Sequence, residues 1–313
     1  FILIFLFFIS IIFLYKAKER YEYKYERLKA DYKNLNLAKE TSNKEFDKIK
    51  KFFIEENKTL SFYSSSSEIK SLGSNKILIE KFSNPLVVYS GQRSSLEYHD
   101  EKVYMITGKG DIYVNSSLRP INDQINFLKI RSNLRELVDQ DYLNHYQTIF
   151  KDIIIKNSKV YVSLTNWKSD TSPFNPGVDN CYFTSIFVAN FSEKNFIFDK
   201  FFEMQDCMPI YTNSAGSILE KFKGNEILLT IGDYASCGKL ARNNAQDKNH
   251  LAGKIIRVNE DTGDYKLVSM GHRNQQGIYY DKANDIIFST EHGPKGGDEI
   301  NINQLSIDKG KIK

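Results

Sequence analysis

The chain has 313 residues, 41% hydrophobic and 26% charged, the balance of an ordinary folded protein. A formal net charge of +4 is too small to signal nucleic-acid binding, and no basic stripe is interleaved with base-stacking aromatics. Cys181, Cys207 and Cys237 form no C-x-x-C pair, which argues against a zinc site or a redox dithiol.

Residues 1–15 are apolar except for Ser10. At about 1.5 Å per residue they fall short of a ~30 Å hydrocarbon core. Phe1 is not an initiating methionine and residues 310–313 carry no domain-ending signal, so the chain reads as part of a longer protein. With residues upstream, the apolar segment is long enough to be a transmembrane signal anchor. No small-residue cleavage site comes after it; the next residues are Lys16, Ala17, Lys18, Glu19 and Arg20. A cleaved signal peptide and a buried core helix are the alternatives. The basic residues after Tyr15, taken alone, favour a cytoplasmic position for the chain beyond them.

Residues 16–57 carry a seam at alternating spacings of four and three: Tyr21, Tyr25, Leu28, Tyr32, Leu35, Lys39, Ser42, Phe46, Ile49 and Phe53. This is the a/d pattern of a coiled coil, with Lys and Glu on its flanks. It predicts a helical stalk through which copies of the chain associate; an amphipathic helix lying on the rest of the protein is the alternative. The serine-rich stretch over 58–74, with Gly73 near its end, reads as a linker.

From residue 75 to 313 the pattern is all-β. A polar turn followed by a short β-branched and aromatic strand recurs at 99–107, 156–165, 223–231 and 282–290. Further strand-like runs occupy 76–82, 182–190, 195–202, 253–259 and 265–270. Four short strands per repeat describe a propeller blade, and about four blades are visible. A single blade cannot bury both its faces, so blades stack around an axis and their loops converge at one end. A β-sandwich is the structural alternative. Residues 121–143 read as a helix interrupting an early loop.

Two phrases near the C-terminal end carry a family resemblance. The first is Gly271, His272, Arg273, Asn274, Gln275, Gln276 and Gly277. The second runs from Glu291, His292, Gly293 and Pro294 through Asp298 and Glu299 to Asn301. They resemble the G-H-R-N-P-Q-G and E-H-G-P-x-G-G-D-E-I-N phrases of the glucose/sorbosone dehydrogenase family. The resemblance implies a six-bladed β-propeller using pyrroloquinoline quinone (PQQ) and calcium. It implies that Arg273 and Asn274 contact the quinone. It assigns the carbonyls of Gly293 and Pro294 to a calcium at the cofactor, and Asp298 with Glu299 to a structural or second calcium site.

The residue chemistry supports and qualifies this. An arginine fork suits carboxylates, of which the quinone has three; locking its own loop against Asp298 or Glu299 is the alternative for Arg273. Carbonyls and carboxylates are hard oxygen ligands suited to calcium; a staple in which the carboxylates accept backbone N–H groups is the alternative. Oxidation of a sugar hydroxyl needs a base. The family's base, in a phrase like H-x-x-G-R-L, is replaced here by Asn213, and the arginine of that phrase by Ser217. Asparagine takes no proton at neutral pH. Tyr234 lies near in the next such phrase of the sequence. His250 and His272 are read as turn and loop residues, not as substitute bases.

Cys181 begins one strand and Cys207 follows the next, so antiparallel neighbours bring them together as a disulfide; two free thiols are the alternative. Cys237 is read as an unpaired loop residue. Two functions stay open. One is oxidation of an aldose or related polyol with PQQ and calcium, on the periplasmic side of a membrane. The other is a non-catalytic anchored propeller that binds a carbohydrate or a protein partner.

Overall fold

A computed structural model describes residues 59–84, 94–115, 124–145, 149–168, 181–192, 194–208, 214–234, 244–293 and 296–305, with Lys29, Lys33 and Lys39. The chain divides into two units, Phe1–Lys58 and Thr59–Lys313. In the first, Lys29, Lys33 and Lys39 are helical and exposed. The apolar segment 1–15 and the rest of the heptad seam lie outside the described residues. Among the described residues no helix is long and apolar enough to cross a membrane.

The second unit is nearly all antiparallel β-structure. β1 (Thr59–Leu72) and β2 (Asn75–Ser83) form a long hairpin. Then come β3 (Ser94–His99), β4 (Lys102–Thr107), β5 (Ile112–Asn115) and β6 (Gln124–Ser132). They form one sheet in the order β2-β1-β6-β5-β4-β3. A 3-10 turn at Leu134–Leu137 and a short helix α1 (Gln140–His145) lead out of it. The second sheet comprises β7 (Phe150–Lys156), β8 (Lys159–Lys168), β9 (Cys181–Asn190) and, after the short β10 (Asn195–Phe196), β11 (Phe198–Glu203). β10 pairs in parallel with the end of β6. The third sheet is β12 (Gly216–Lys221), β13 (Glu226–Ile231), β14 (Lys254–Asn259) and β15 (Tyr265–Met270). The fourth is β16 (Gln275–Asp281), β17 (Ile286–Glu291) and β18 (Glu299–Gln304).

One edge strand of each successive sheet, β3, β7, β12 and β16, lies beside the next. Consecutive blades of a propeller meet in this way around an axis. The recurring polar phrases are the hairpins from each of these strands to the next. Each contains left-handed backbone: Asp100 and Glu101, Asn157 and Ser158, Gly224, and Asp285. Short hairpins need that conformation because it matches the strand twist.

Burial follows the stacking. Ile153, Ile155, Val160, Val162, Ile186 and Ile227 are at most 1% exposed, within one continuous core. A smaller cluster of Phe222, Leu228, Tyr280 and Ile287 joins the third and fourth sheets. Polar contacts between sheets are equally specific. Asp152 of β7 accepts the Leu219 N–H of β12 at 2.8 Å and the Ser95 hydroxyl of β3. Lys221 of β12 pairs with Glu97 of β3 at 2.6 Å. Glu260 is 3% exposed and takes Lys156, Asn157 and Tyr161 from the second sheet.

Two sequence expectations fail here. The stretch 58–74 is not a linker: Thr59–Leu72 is a strand, so the β-unit begins sixteen residues before position 75. Gly73, at φ 62, and Ser74 are a two-residue turn, and serine is tolerated on an exposed strand. Residues 121–143 are not one helix. Gln124–Ser132 is a strand hydrogen-bonded on both edges, to β5 and β1, and two ladders outweigh a local helical pattern.

Candidate functional site

The loop between β15 and β16 meets the loop between β17 and β18. Asn274 O accepts the His292 N–H at 3.0 Å. Arg273 donates from Nη1 to the carbonyls of His292 at 2.9 Å and Gly293 at 2.8 Å. The Arg273 carbonyl accepts the Asp233 N–H at the end of β13, at 2.8 Å. Three loops are thereby tied together. The two glycine-punctuated phrases, some twenty residues apart in sequence, are one structure in space.

Glu291 is the hub. It is 7% exposed and lies at the end of β17. Its carboxylate accepts the Arg273 N–H at 2.8 Å and the Asn301 amide at 2.9 Å, and meets His272 Nδ1 at 3.3 Å. Burial pushes its pKa up, but the bonds from His272, Arg273 and Asn301 outweigh burial and hold it below the usual carboxylate range. The other ring nitrogen of His272 reaches Ser269 at 2.8 Å. His272 is therefore a loop fastener, and His250 is a turn residue whose Nδ1 faces the Ala252 N–H at 3.0 Å. Neither is presented as a base.

Asn274 is 6% exposed, and its Oδ1 accepts the Gly216 N–H at 3.3 Å and the Gln276 amide at 2.7 Å. It fixes the loop to the start of β12. Gln275 stands where the resemblance has proline. It is fully buried and donates to the Lys254 carbonyl at 3.2 Å, while its Oε1 has no hydrogen-bond partner among the described residues.

The residues that the resemblance assigns to calcium are placed differently from one another. Gly293 is left without room for a side chain by the loop itself: a Cβ would lie 1.6 Å from the Gly297 carbonyl oxygen. Asp298 accepts the Gly293 N–H at 3.2 Å, the loop-staple arrangement. Glu299 meets Asn301 at 3.4 Å. Arg273 forms its described side-chain bonds with carbonyls, not with Asp298 or Glu299. Among the described residues no group of three or more His, Cys, Asp or Glu side chains is placed to hold a metal ion. A cavity of about 240 Å³ opens beside this loop, lined by Gln276, Thr290, Glu291, His292, Asp298, Glu299 and Ile300. Pro294, Asn213 and Cys237 lie outside the described residues.

Tyr234 does not face the cavity. It is 2% exposed, and its hydroxyl bonds Thr184 at 2.7 Å. Thr184 continues to the Ser217 hydroxyl at 3.0 Å, so three hydroxyls link the second and third sheets inside the core. Ser217 and Tyr234 both have positive φ, 66 and 57, a conformation that costs a non-glycine residue and is held here by this chain of bonds.

Sequence reasoning missed Glu291 as the hub, although the residue opens the second phrase. It also missed Lys254, which is fully buried and donates to the carbonyls of Asn244, Ala245 and Ala252. Burial lowers its pKa to about 8. Cys181 and Cys207 are joined in a disulfide, with Cα atoms 4.6 Å apart.

Comparisons with known proteins fall on the same region. The family described as Glucose / Sorbosone dehydrogenase matches residues 149–310. An uncharacterized protein of Synechocystis sp. is 37% identical over 114 residues, 31% of this chain and 27% of that protein. Aldose sugar dehydrogenase YliI of Escherichia coli is 36% identical over 83 residues, 22% of this chain and 21% of that protein. The matched part thus spans about a quarter of each curated relative. A crystal structure of glucose dehydrogenase shares the fold at a TM-score of 0.50 and 17% identity, over 68% of this chain and 61% of that one.

Proposed function

The chain belongs to the glucose/sorbosone dehydrogenase family, and from that membership we propose that it is a sugar dehydrogenase-like protein that binds PQQ at the Arg273 loop. The observation that carries this reading is the state of Arg273. Its guanidinium is partly exposed, its described bonds go to two neutral carbonyls, and no ion pair to a carboxylate forms among the described residues. A carboxylate-bearing ligand would find there a cation whose described partners are neutral. Glu291 supports this by holding the Arg273 backbone in place.

The donor set fits the quinone's carboxylates and does not fit calcium in this arrangement. The Gly293 carbonyl already accepts from the Arg273 cation. A calcium ion at that oxygen would sit beside the guanidinium, and like charges repel. Asn274 positions the loop, since its Oδ1 is occupied by protein donors.

When bound, the quinone supplies a two-electron acceptor for a CH–OH group of an aldose or related polyol. The chain's own task is to take the hydroxyl proton, and Asn213 at the family's base position cannot do so. Turnover is therefore weak in this reading. Asn213 equally favours the second reading, a non-catalytic propeller that binds a carbohydrate or a protein partner. A six-bladed ring outside the cytoplasm, held by an anchor over residues 1–15, belongs to the same proposal. The Cys181–Cys207 disulfide supports an oxidising compartment.

The test is to titrate the full chain with PQQ, with and without calcium, and then assay dye reduction over an aldose panel. Binding with little turnover is expected, and Asn213→His raises the rate at least tenfold, since a positioned base contributes about 10²-fold or more. Absence of quinone binding would remove the dehydrogenase reading and leave the binding propeller.

A further inference from the structure

The β1–β2 hairpin extends past the sheet that carries it. β1 pairs with β6 only over Thr59–Tyr63; beyond that, β1 and β2 pair only with each other among the described residues. A two-stranded ribbon is marginal by itself in water. This one exposes Ile69 and Leu72 at 68% each, Leu78 at 59%, Ile77 at 43% and Ile79 at 39%. β2 ends the strand order, so its outer edge is unpaired among the described residues. A long edge strand with three consecutive apolar residues is the kind that proteins ordinarily cover.

The sequence of β2 says what fits that edge. It reads Asn75, Lys76, Ile77, Leu78, Ile79, Glu80, Lys81. Laid antiparallel on a second copy of itself, with Leu78 opposite Leu78, it sets Lys76 opposite Glu80 twice and Ile77 opposite Ile79 twice. The pattern is complementary to itself about Leu78, which is what a two-fold, isologous contact requires. The hairpin register agrees. Leu72 and Asn75 flank a two-residue turn, so they are the hydrogen-bonded pair. Alternation along the ladder then turns the backbone N–H and C=O of Lys76, Leu78 and Glu80 outward. Across the joined sheet, Ile69 opposite Leu78 would extend into a row of four apolar residues.

We propose that the free edge of β2 is a self-association surface, joining two copies into a continuous β1-β2-β2-β1 sheet centred on Leu78. The contact is independent of the quinone site and of the heptad seam at residues 16–57.

Sedimentation of the full chain over a concentration series tests it. The wild type forms a dimer. Lys76→Glu, which opposes like charges twice, weakens that dimer about tenfold, as does Glu80→Lys. The double variant restores it. All four positions of the charge pairs are exposed, and thermal melts confirm that the variants fold. Hydrogen exchange gives a second readout: the amides of Lys76, Leu78 and Glu80 are protected at high concentration and exchange freely on dilution. A chain that stays monomeric throughout overturns the proposal. So does a dimer indifferent to both single charge reversals, which would place the contact elsewhere.

Discussion

Arg273 and Gly293 lie 20 residues apart in sequence, and the Arg273 Nη1 donates to the Gly293 carbonyl at 2.8 Å. The residue read as a quinone contact thus holds the oxygen read as a calcium ligand. Cation and carbonyl satisfy one another, which gives the loop its shape and limits what else that carbonyl can bind.

Arg273→Ala should weaken PQQ binding by at least tenfold and lower stability by only about 1 kcal/mol, because the lost bonds are partly exposed to water. Arg273→Lys should recover part of the binding, since lysine offers a point charge without the fork. Titration calorimetry and denaturant midpoints separate the two effects. Equal binding by wild type and Arg273→Ala would show that the quinone does not meet this residue.

Glu291→Ala should cost about 2 kcal/mol, because it removes the acceptor shared by buried His272 and by the part-buried Arg273 N–H and Asn301 amide. Glu291→Gln should cost less, keeping one acceptor oxygen. The folded-state pKa of Glu291 is depressed, so its contribution is present above the unfolded value and is lost as pH falls through the folded one. Urea midpoints measured downward from the unfolded value of 4.5 should fall in the wild type, and fall less steeply in Glu291→Gln.

Asp152 and Glu220 act with the opposite sign. Burial raises Asp152 from 3.8 to about 6 and Glu220 from 4.5 to about 7, while Glu97 adds repulsion to both. Ser95 and the backbone N–H groups of Leu219 and Ile153 pull Asp152 back, as Tyr280 N–H and Lys221 do Glu220. A raised folded pKa gives stability that is full below the unfolded value and is lost as pH rises through the folded one. Between about pH 4.5 and pH 7 these two groups should therefore lower stability as the pH rises. Asp152→Asn should flatten that slope in urea midpoints; an unchanged slope would assign it to other groups.

Reduction of the Cys181–Cys207 bond, or Cys181→Ser with Cys207→Ser, should cost about 3 kcal/mol for a closed loop of this length. The bond lies where Tyr182 and Met208 form an isolated antiparallel bridge, so the loss should appear first in the second sheet. Thermal melts with and without reductant give the size of the effect.

Strands were legible where a short run of apolar and β-branched residues is bounded by explicit turn chemistry. Tyr265–Met270 and Cys181–Asn190 could be read because apolar and β-branched residues lie between turn residues. The recurring hairpins could be read because Asn157, Gly224 and Asp285 tolerate left-handed backbone. The serines of β1 hid a strand, because an exposed ribbon leaves no buried face to mark it. The segment Gln124–Ser132 misled for the opposite reason: its apolar residues suit a helix, and only the strands on both sides select the ladder.

By itself the sequence determined the all-β class, the repeating turn-and-strand unit and the two loop phrases that resemble the family's, because these depend on short-range residue order. Tertiary structure alone decided that Arg273 turns to backbone carbonyls and not to carboxylates, that Glu291 joins two loops, and that Tyr234 points into the core. Those outcomes rest on which donors and acceptors meet once separate sheets have packed, and chain order does not carry that distance.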